Sequence, residues 1–151
     1  MHALQIEPAE PNDHDWCARL MASSEPWITL QRDLDGCRKV LSRPGTELFV
    51  ARGQHSLNLG FILLAPHGLA GSPYIASIAV SPDTQGQSVG SQLMQFTERR
   101  FHDRSHLFLL VSSFNSRAQN FYRRHGYEQV GELKEYIVSG HSELIFHKRL
   151  A

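Results

Sequence analysis

Apolar residues recur along this chain with two different periods, and the changes from one period to the other mark its elements. Residues 2–8 alternate weakly between apolar and polar, which predicts a first strand closed by Pro8 and Pro11. After Asp13, the residues Trp16, Leu20 and Met21 share one face of a helix that ends near Ser23-Ser24. Glu25-Pro26-Trp27 reads as a loop. A second helix starts near Asp33, carries Leu34, Cys37, Val40 and Leu41, and is stopped by Pro44-Gly45. Residues 46–52 and 57–64 are β-rich runs joined by Gly53-Gln54-His55-Ser56, the pattern of an antiparallel hairpin, with Leu57, Leu59, Phe61 and Leu63 on one face. The Gly/Pro/Ala-containing stretch 65–73 has the length of a hairpin connector, and residues 74–80 form the third run.

The stretch that organises the rest runs from Ile75 to Gly90. An apolar strand ends at Ser81-Pro82-Asp83, and Gly86 and Gly90 then lead into a helix whose apolar stripe holds Val89, Leu93, Met94, Phe96 and Phe101. Strand, glycine turn and helix in that order suit an anion, because the free N–H groups at the positive end of a helix dipole favour phosphate. Residues 107–111 are apolar at every position and predict a central strand covered on both faces. In residues 116–125 a short helix places Ala118, Phe121, Tyr122 and His125 on one face, with Asn115 or Ser116 as N-cap and Gly126 as stop. Residues 127–138 and 142–149 form a last strand pair around Ser139-Gly140-His141. This order predicts a single α+β domain over residues 1–151: a mixed, mostly antiparallel twisted sheet of about six to seven strands with helices on both faces. The strands flanking the glycine-turn helix are joined by a crossover and should be parallel.

Composition narrows the function classes. A chain of 151 residues with 15 basic and 15 acidic side chains has no global field to draw it to nucleic acid or to an anionic membrane, so a phosphate site must be local. No signal peptide pattern and no bilayer-length apolar stretch is present, and the expected compartment is the cytoplasm. Cys17 and Cys37 lack C-x-x-C spacing and read as two reduced, half-buried thiols. His102 and His106 stand four apart, yet no carboxylate or cysteine pattern completes a metal set, and no metal is expected.

Gln85-Gly86-Gln87-Ser88-Val89-Gly90 resembles the [Q/R]-x-x-G-x-[G/A] signature of the GNAT superfamily of acyl-CoA-dependent N-acyltransferases, with Ser88 where the family has its middle glycine. A second stretch, L-F-L-L-V-S-S-F-N-S-R-A-Q-N-F-Y-R-R-H-G-Y, resembles the family's fifth strand, its Asn, and its A-x-x-F-Y-x-x-x-G-[FY] helix, with Asn115, Ala118, Phe121, Tyr122, Gly126 and Tyr127 in register. The match is good over residues 46–149 and looser before them.

The resemblance implies an N-acetyltransferase that moves an acetyl group from acetyl-CoA to a primary amine of a small molecule or peptide. Residues 85–90 would cradle the pyrophosphate, Ile78, Ala79 and Val80 would pair with the pantetheine arm, and Asn115 and Tyr122 would complete the cofactor site. Ser88 fits that loop if its φ is negative and strains it if φ must be positive. Tyr122 resembles the family's general acid, a phenol that protonates the leaving thiolate. Many members carry a carboxylate on the fourth strand as base; Ala76 and Ser77 stand there in this chain, leaving a water chain, Glu25, Glu135 or His141. Glu25, Trp27 and Ser112 are candidate acceptor contacts, Arg99-Arg100 and Arg123-Arg124 candidate partners of the cofactor's 3′-phosphate, and the last strand pair could extend the sheet across a homodimer. Two other readings compete. Without the fourth-strand carboxylate the chain could be a non-catalytic acyl-CoA-binding regulatory relative. Gly86-Gln87-Ser88-Val89-Gly90 also spells the G-x-S-x-G elbow of a serine hydrolase using Ser88.

Overall fold

The computed structural model describes residues 4–84 and 88–150, and within them the chain builds one seven-stranded sheet and four α-helices. Strand β1 (Gln5–Pro8) leads into helices α1 (Pro11–Ala22) and α2 (Leu34–Leu41). Strands β2 (Glu47–Arg52), β3 (Asn58–Leu69) and β4 (Ser72–Val80) then form a meander. Helix α3 (Val89–Arg100), strand β5 (His106–Ser112) and helix α4 (Ser116–Arg124) follow, and strands β6 (Glu128–Val138) and β7 (His141–Arg149) close the chain. The strand order is β1-β2-β3-β4-β5-β7-β6, with β4 and β5 parallel and every other neighbouring pair antiparallel. The mixed α+β sheet and its parallel pair are as the sequence predicts. Met1, His2, Ala3, Gln85, Gly86, Gln87 and Ala151 lie outside the described residues, so the first residues of the expected strand and half of the expected phosphate turn do too.

The helices split the sheet into two faces. Cys17, Met21, Cys37 and Leu41 from α1 and α2 pack on Val50, Phe61, Leu63 and Ala79. Val89, Leu93 and Met94 of α3 and Tyr122 of α4 pack on the other face, against Ile62, Leu64, Leu107, Leu109, Val111 and Phe146. Helix α1 begins at Pro11, three residues earlier than expected. Proline's fixed φ suits a first helical position, and the Asp13 carboxylate accepts from the Glu10 N–H at 2.8 Å. Asp13 also takes both Arg52 Nη atoms (2.7 and 3.1 Å) and Asn58 Nδ2 (3.1 Å), which ties α1 to β2 and β3. Both cysteines are fully buried and unpaired rather than half-buried; burial pushes the Cys17 thiol up to about 12.

Three expectations need correction. Residues 65–73 are not a loose connector: β3 continues to Leu69 and β4 starts at Ser72, with Ala70 and Gly71 alone in the turn, both at positive φ as a two-residue hairpin of the mirror-image kind requires. Leu57, Leu59, Phe61 and Leu63 do not share a face. Leu57 is exposed, and a bulge opposite Ala51/Arg52 turns Leu59 into the α3/α4 core while Phe61 and Leu63 face α1/α2. Finally, helices cover β5 on one face only: Leu107, Leu109 and Val111 are buried, whereas Phe108 and Leu110 on the other face are half-buried, because the α1/α2 core draws no residue from β5.

Candidate active site

Strands β4 and β5 pair at Tyr74 with Phe108 and at Ile75 with Leu109, and beyond those two rungs they diverge. Each is held on its far edge, β4 by β3 and β5 by β7, so the facing edges of 76–80 and 110–112 carry backbone groups without a ladder partner. A cleft of about 1380 Å³ opens there. Ile78, Ala79 and Val80 line one wall and Leu110, Val111 and Ser112 the other, with Asn115 and Tyr122 of the α4 segment at one side and Glu25 and Trp27 of the α1–α2 loop at the other.

At the head of this cleft α3 begins. Ser88, its N-cap, has φ 54° and ψ 32°, the left-handed conformation, and its hydroxyl makes no capping bond. The condition that would make a serine harmless here, a negative φ, is not met; the position has the backbone a glycine would take without strain. Val89 is buried in the α3/α4 core. Gly90 lines the cleft, and a Cβ on it would lie 3.2 Å from Phe121 Cζ, so close packing of α3 on α4 favours a glycine there. No described residue hydrogen-bonds the Ser88 side chain, and in particular no histidine does, so the elbow pattern lacks the base that a serine nucleophile needs.

Asn115 caps α4, its Oδ1 accepting from the Ala118 N–H at 3.2 Å. Two turns further on, the Tyr122 ring packs edge-on against Phe121, Tyr127 and Phe146 and is 7% exposed. Its hydroxyl takes no hydrogen bond from the described residues. Since no fully buried side-chain oxygen or nitrogen among them goes unpaired, that hydroxyl opens to the cleft. Burial, with a smaller push from the Tyr74 phenol, holds its pKa well above the ordinary tyrosine value, so the proton is in place throughout the neutral range.

Residues 44–129, more than half of the chain, match the family model described as an acetyltransferase (GNAT) domain. The chain belongs to the GNAT family. The fold agrees: a GNAT-family acetyltransferase structure from Desulfovibrio desulfuricans superposes with a TM-score of 0.82 at 20% identity, over 99% of this chain and 100% of that one. The ribosomal-protein-S18-alanine N-acetyltransferase of Escherichia coli gives 0.75 at 16% identity (99% and 95% covered). Spermidine N-acetyltransferase from Vibrio cholerae, in complex with CoA and spermine, gives 0.71 at 15% (97% and 95%). No curated protein sequence matches the chain.

The residues expected on the acceptor side and at the cofactor's 3′-phosphate fare differently. Trp27 is buried under the α1/α2 layer and lines the cleft, next to a cis Glu25–Pro26 bond. The Glu25 carboxylate accepts from Thr29 N (2.9 Å) and Thr29 Oγ1 (2.7 Å), which holds its pKa below the ordinary value and leaves it a poor proton acceptor. Glu135 is spent in the same way on Ser139 Oγ and Gly140 N in the β6–β7 turn, and His141 packs on Phe114; neither lines the cleft. Arg100 pairs with Glu47 and Arg123 lies over the Phe146 ring, while Arg124 lines the cleft. His106 bonds His147 rather than His102, and among the described residues no three metal-ligating side chains cluster.

Ser112 is 1% exposed, and its hydroxyl donates to Glu143 Oε2 at 2.8 Å. Glu143, on β7 directly opposite Ser112, is 4% exposed and lines the cleft; burial pushes its pKa up, against the opposing pull of the Ser112 bond and of His141. Sequence reasoning passed over this residue. The one available signal was its place in the β7 alternation, out of phase with the core residues Leu144 and Phe146.

Proposed function

We propose that this GNAT domain transfers the acetyl group of acetyl-CoA to a primary amine by direct attack within a ternary complex, with Tyr122 as the acid that protonates the leaving sulfur. The observation that carries the proposal is the divergence of β4 and β5. It leaves two free strand edges facing each other, with a buried phenol opening between them. An extended chain of amides such as a pantetheine arm fits such an edge as an added strand, on Ile78, Ala79 and Val80. The N–H groups of Val89 and Gly90, which open α3, suit a pyrophosphate. Acetyl-CoA supplies a thioester carbonyl activated toward amines. This chain's part is to hold it, to position the nitrogen and to supply the proton, the last worth roughly 10²- to 10⁴-fold.

An amine acceptor accords with the ribosomal-protein alanine and the spermidine named for two structures of the same fold. Calorimetric titration with acetyl-CoA, followed by a thiol-release assay over amino acids, peptides, polyamines and aminoglycosides, tests the reading. Micromolar binding with thiol release from at least one amine is expected. No binding would overturn it. Binding without release from any amine would favour the non-catalytic relative, the reading supported by the absence of a carboxylate at Ala76 and Ser77 and by the strained Ser88.

A further inference from the structure

Two carboxylates are buried among the described residues, Asp13 and Glu143, and they keep different company. Asp13 is held by a bidentate Arg52, by Asn58 and by a backbone N–H, so its charge is fully answered. Glu143 has one hydroxyl donor, Ser112, and no ion pair. Its second oxygen has no partner among the described residues, and since no fully buried side-chain oxygen among them is left unpaired, Oε1 opens into the cleft. A carboxylate kept this dry without a cation costs stability, which makes it a candidate for work on a ligand that brings a cation with it.

Its position relative to Tyr122 is the second observation. Val111 and Leu144 face the α3/α4 core together with Tyr122, so their neighbours Ser112 and Glu143 point to the opposite face of the sheet. Tyr122 and Glu143 nevertheless line one cleft. The gap between β4 and β5 therefore has a proton donor on one face and a proton acceptor on the other. The titratable groups that face Glu143 are Tyr74 on β4 and His141 on β7, with Tyr136 on β6 and Arg43 after α2 beyond Tyr74.

We propose that Glu143, positioned by Ser112, receives the ammonium group of the acceptor and takes its proton. The assignment rests on the acetyl-transfer reading above. The acceptor nitrogen gives up two protons: the first passes to Glu143, freeing the lone pair that forms the new C–N bond, and the second reaches sulfur through Tyr122 as the C–S bond breaks. The products are the amide, the free thiol and a protonated Glu143, which returns its proton to solvent. Burial suits Glu143 to this task, because a carboxylate with a raised pKa is a stronger base and lies closer to the amine it must deprotonate.

The test compares wild type, Glu143→Gln and Ser112→Ala by the pH dependence of kcat/KM for thiol release, with acetyl-CoA affinity and melting temperature measured alongside. Wild type should rise with pH through the titration of Glu143 and then level off well below the pKa of the amine. Glu143→Gln should fall roughly 10²- to 10⁴-fold at neutral pH. Its rate should then climb about tenfold per pH unit toward the amine's own pKa, with a smaller loss for weakly basic amines. Ser112→Ala removes a bond that favours the charged form, so its acid limb should move to higher pH. Acetyl-CoA binding should persist in both variants, and Glu143→Gln should melt no lower than wild type, since it relieves a buried charge. A Gln variant within about threefold of wild type at every pH overturns the assignment, as does one that loses stability and acetyl-CoA binding together. A wild type that releases thiol with no amine overturns the parent reading and this one with it. That failure appears before any variant is made.

Discussion

Replacing Tyr122 by phenylalanine removes a single oxygen and leaves the ring, and the structure predicts opposite outcomes for stability and rate. The ring's edge contacts with Phe121, Tyr127 and Phe146, at 5.4, 6.2 and 6.3 Å between centroids, survive the change. The hydroxyl has no partner among the described residues, so its loss strands no donor or acceptor, and folding stability should stay within about 0.5 kcal/mol of wild type. If that hydroxyl delivers the proton to sulfur, kcat should fall by roughly 10²- to 10⁴-fold, about 2.7 to 5.4 kcal/mol in the barrier. Burial raises the phenol's pKa well above its ordinary value, so the donor keeps its proton as pH rises. Wild-type kcat should then show no alkaline loss below about pH 10. Single-turnover thiol release and urea denaturation of the two proteins measure both quantities. A variant within about threefold of the wild-type rate would remove Tyr122 from the chemistry. A variant that lost more than about 2 kcal/mol of stability would make it a core residue first, and any drop in rate would follow from that.

Asp13→Asn should cost about 3–5 kcal/mol at neutral pH, because it leaves the Arg52 guanidinium with Glu7 at 3.3 Å as its one remaining carboxylate. Arg52 holds the native Asp13 carboxyl well below its unfolded pKa of about 3.9; the stabilisation is therefore complete above that value and disappears as pH falls through the native one. Urea denaturation should show the gap between the two proteins narrowing from pH 5 to pH 2, and a gap independent of pH would refute the linkage. Ser88→Gly should raise the melting temperature by about 1–2 °C, since relief of a left-handed residue, about 1 kcal/mol or more, exceeds glycine's entropic cost of about 0.5–1 kcal/mol. A lower melting temperature would mean that the left-handed backbone at Ser88 carries no strain.

What the sequence disclosed was whatever depends on neighbours along the chain. The Asp33 cap of α2, the Asn115 cap of α4, the stop at Gly126 and the crossover that makes β4 and β5 parallel all follow from a few adjacent residues. The two signature stretches of the GNAT family are of the same local kind. Hidden features were those set by register. A bulge opposite Ala51/Arg52 turns Leu59 to the other face, and a second irregularity opposite Leu63/Leu64 changes the phase of β4 between Ser77 and Ile75. Simple alternation assigns such residues to the wrong layer, because one inserted residue inverts every face beyond it. The strand that looked like a connector, from Ala65 onward, was obscured by its own glycine. At Gly68 a Cβ would lie 2.6 Å from the Ala65 Cβ, so the residue that reads as a loop former is what lets the chain close on itself there.

The same distinction explains why the proposed acceptor side was harder to read than the proposed cofactor side. A phosphate turn and a helix cap are contiguous, but a carboxylate facing a cleft can come from any strand whose register brings it there. The fourth strand offers none in this chain. Ala76 has no polar side chain, and Ser77 is buried with its hydroxyl donated back to the Ala76 carbonyl. Across β5, 31 residues beyond Ser112, Glu143 arrives opposite that serine by antiparallel pairing with β7. Glu143 reaches the cleft on the face of β5 from which the α1/α2 core draws no residue, the arrangement that also leaves Leu110 half-buried. The uncovered face of β5 and the unpaired carboxylate beside it are thus one feature of the fold.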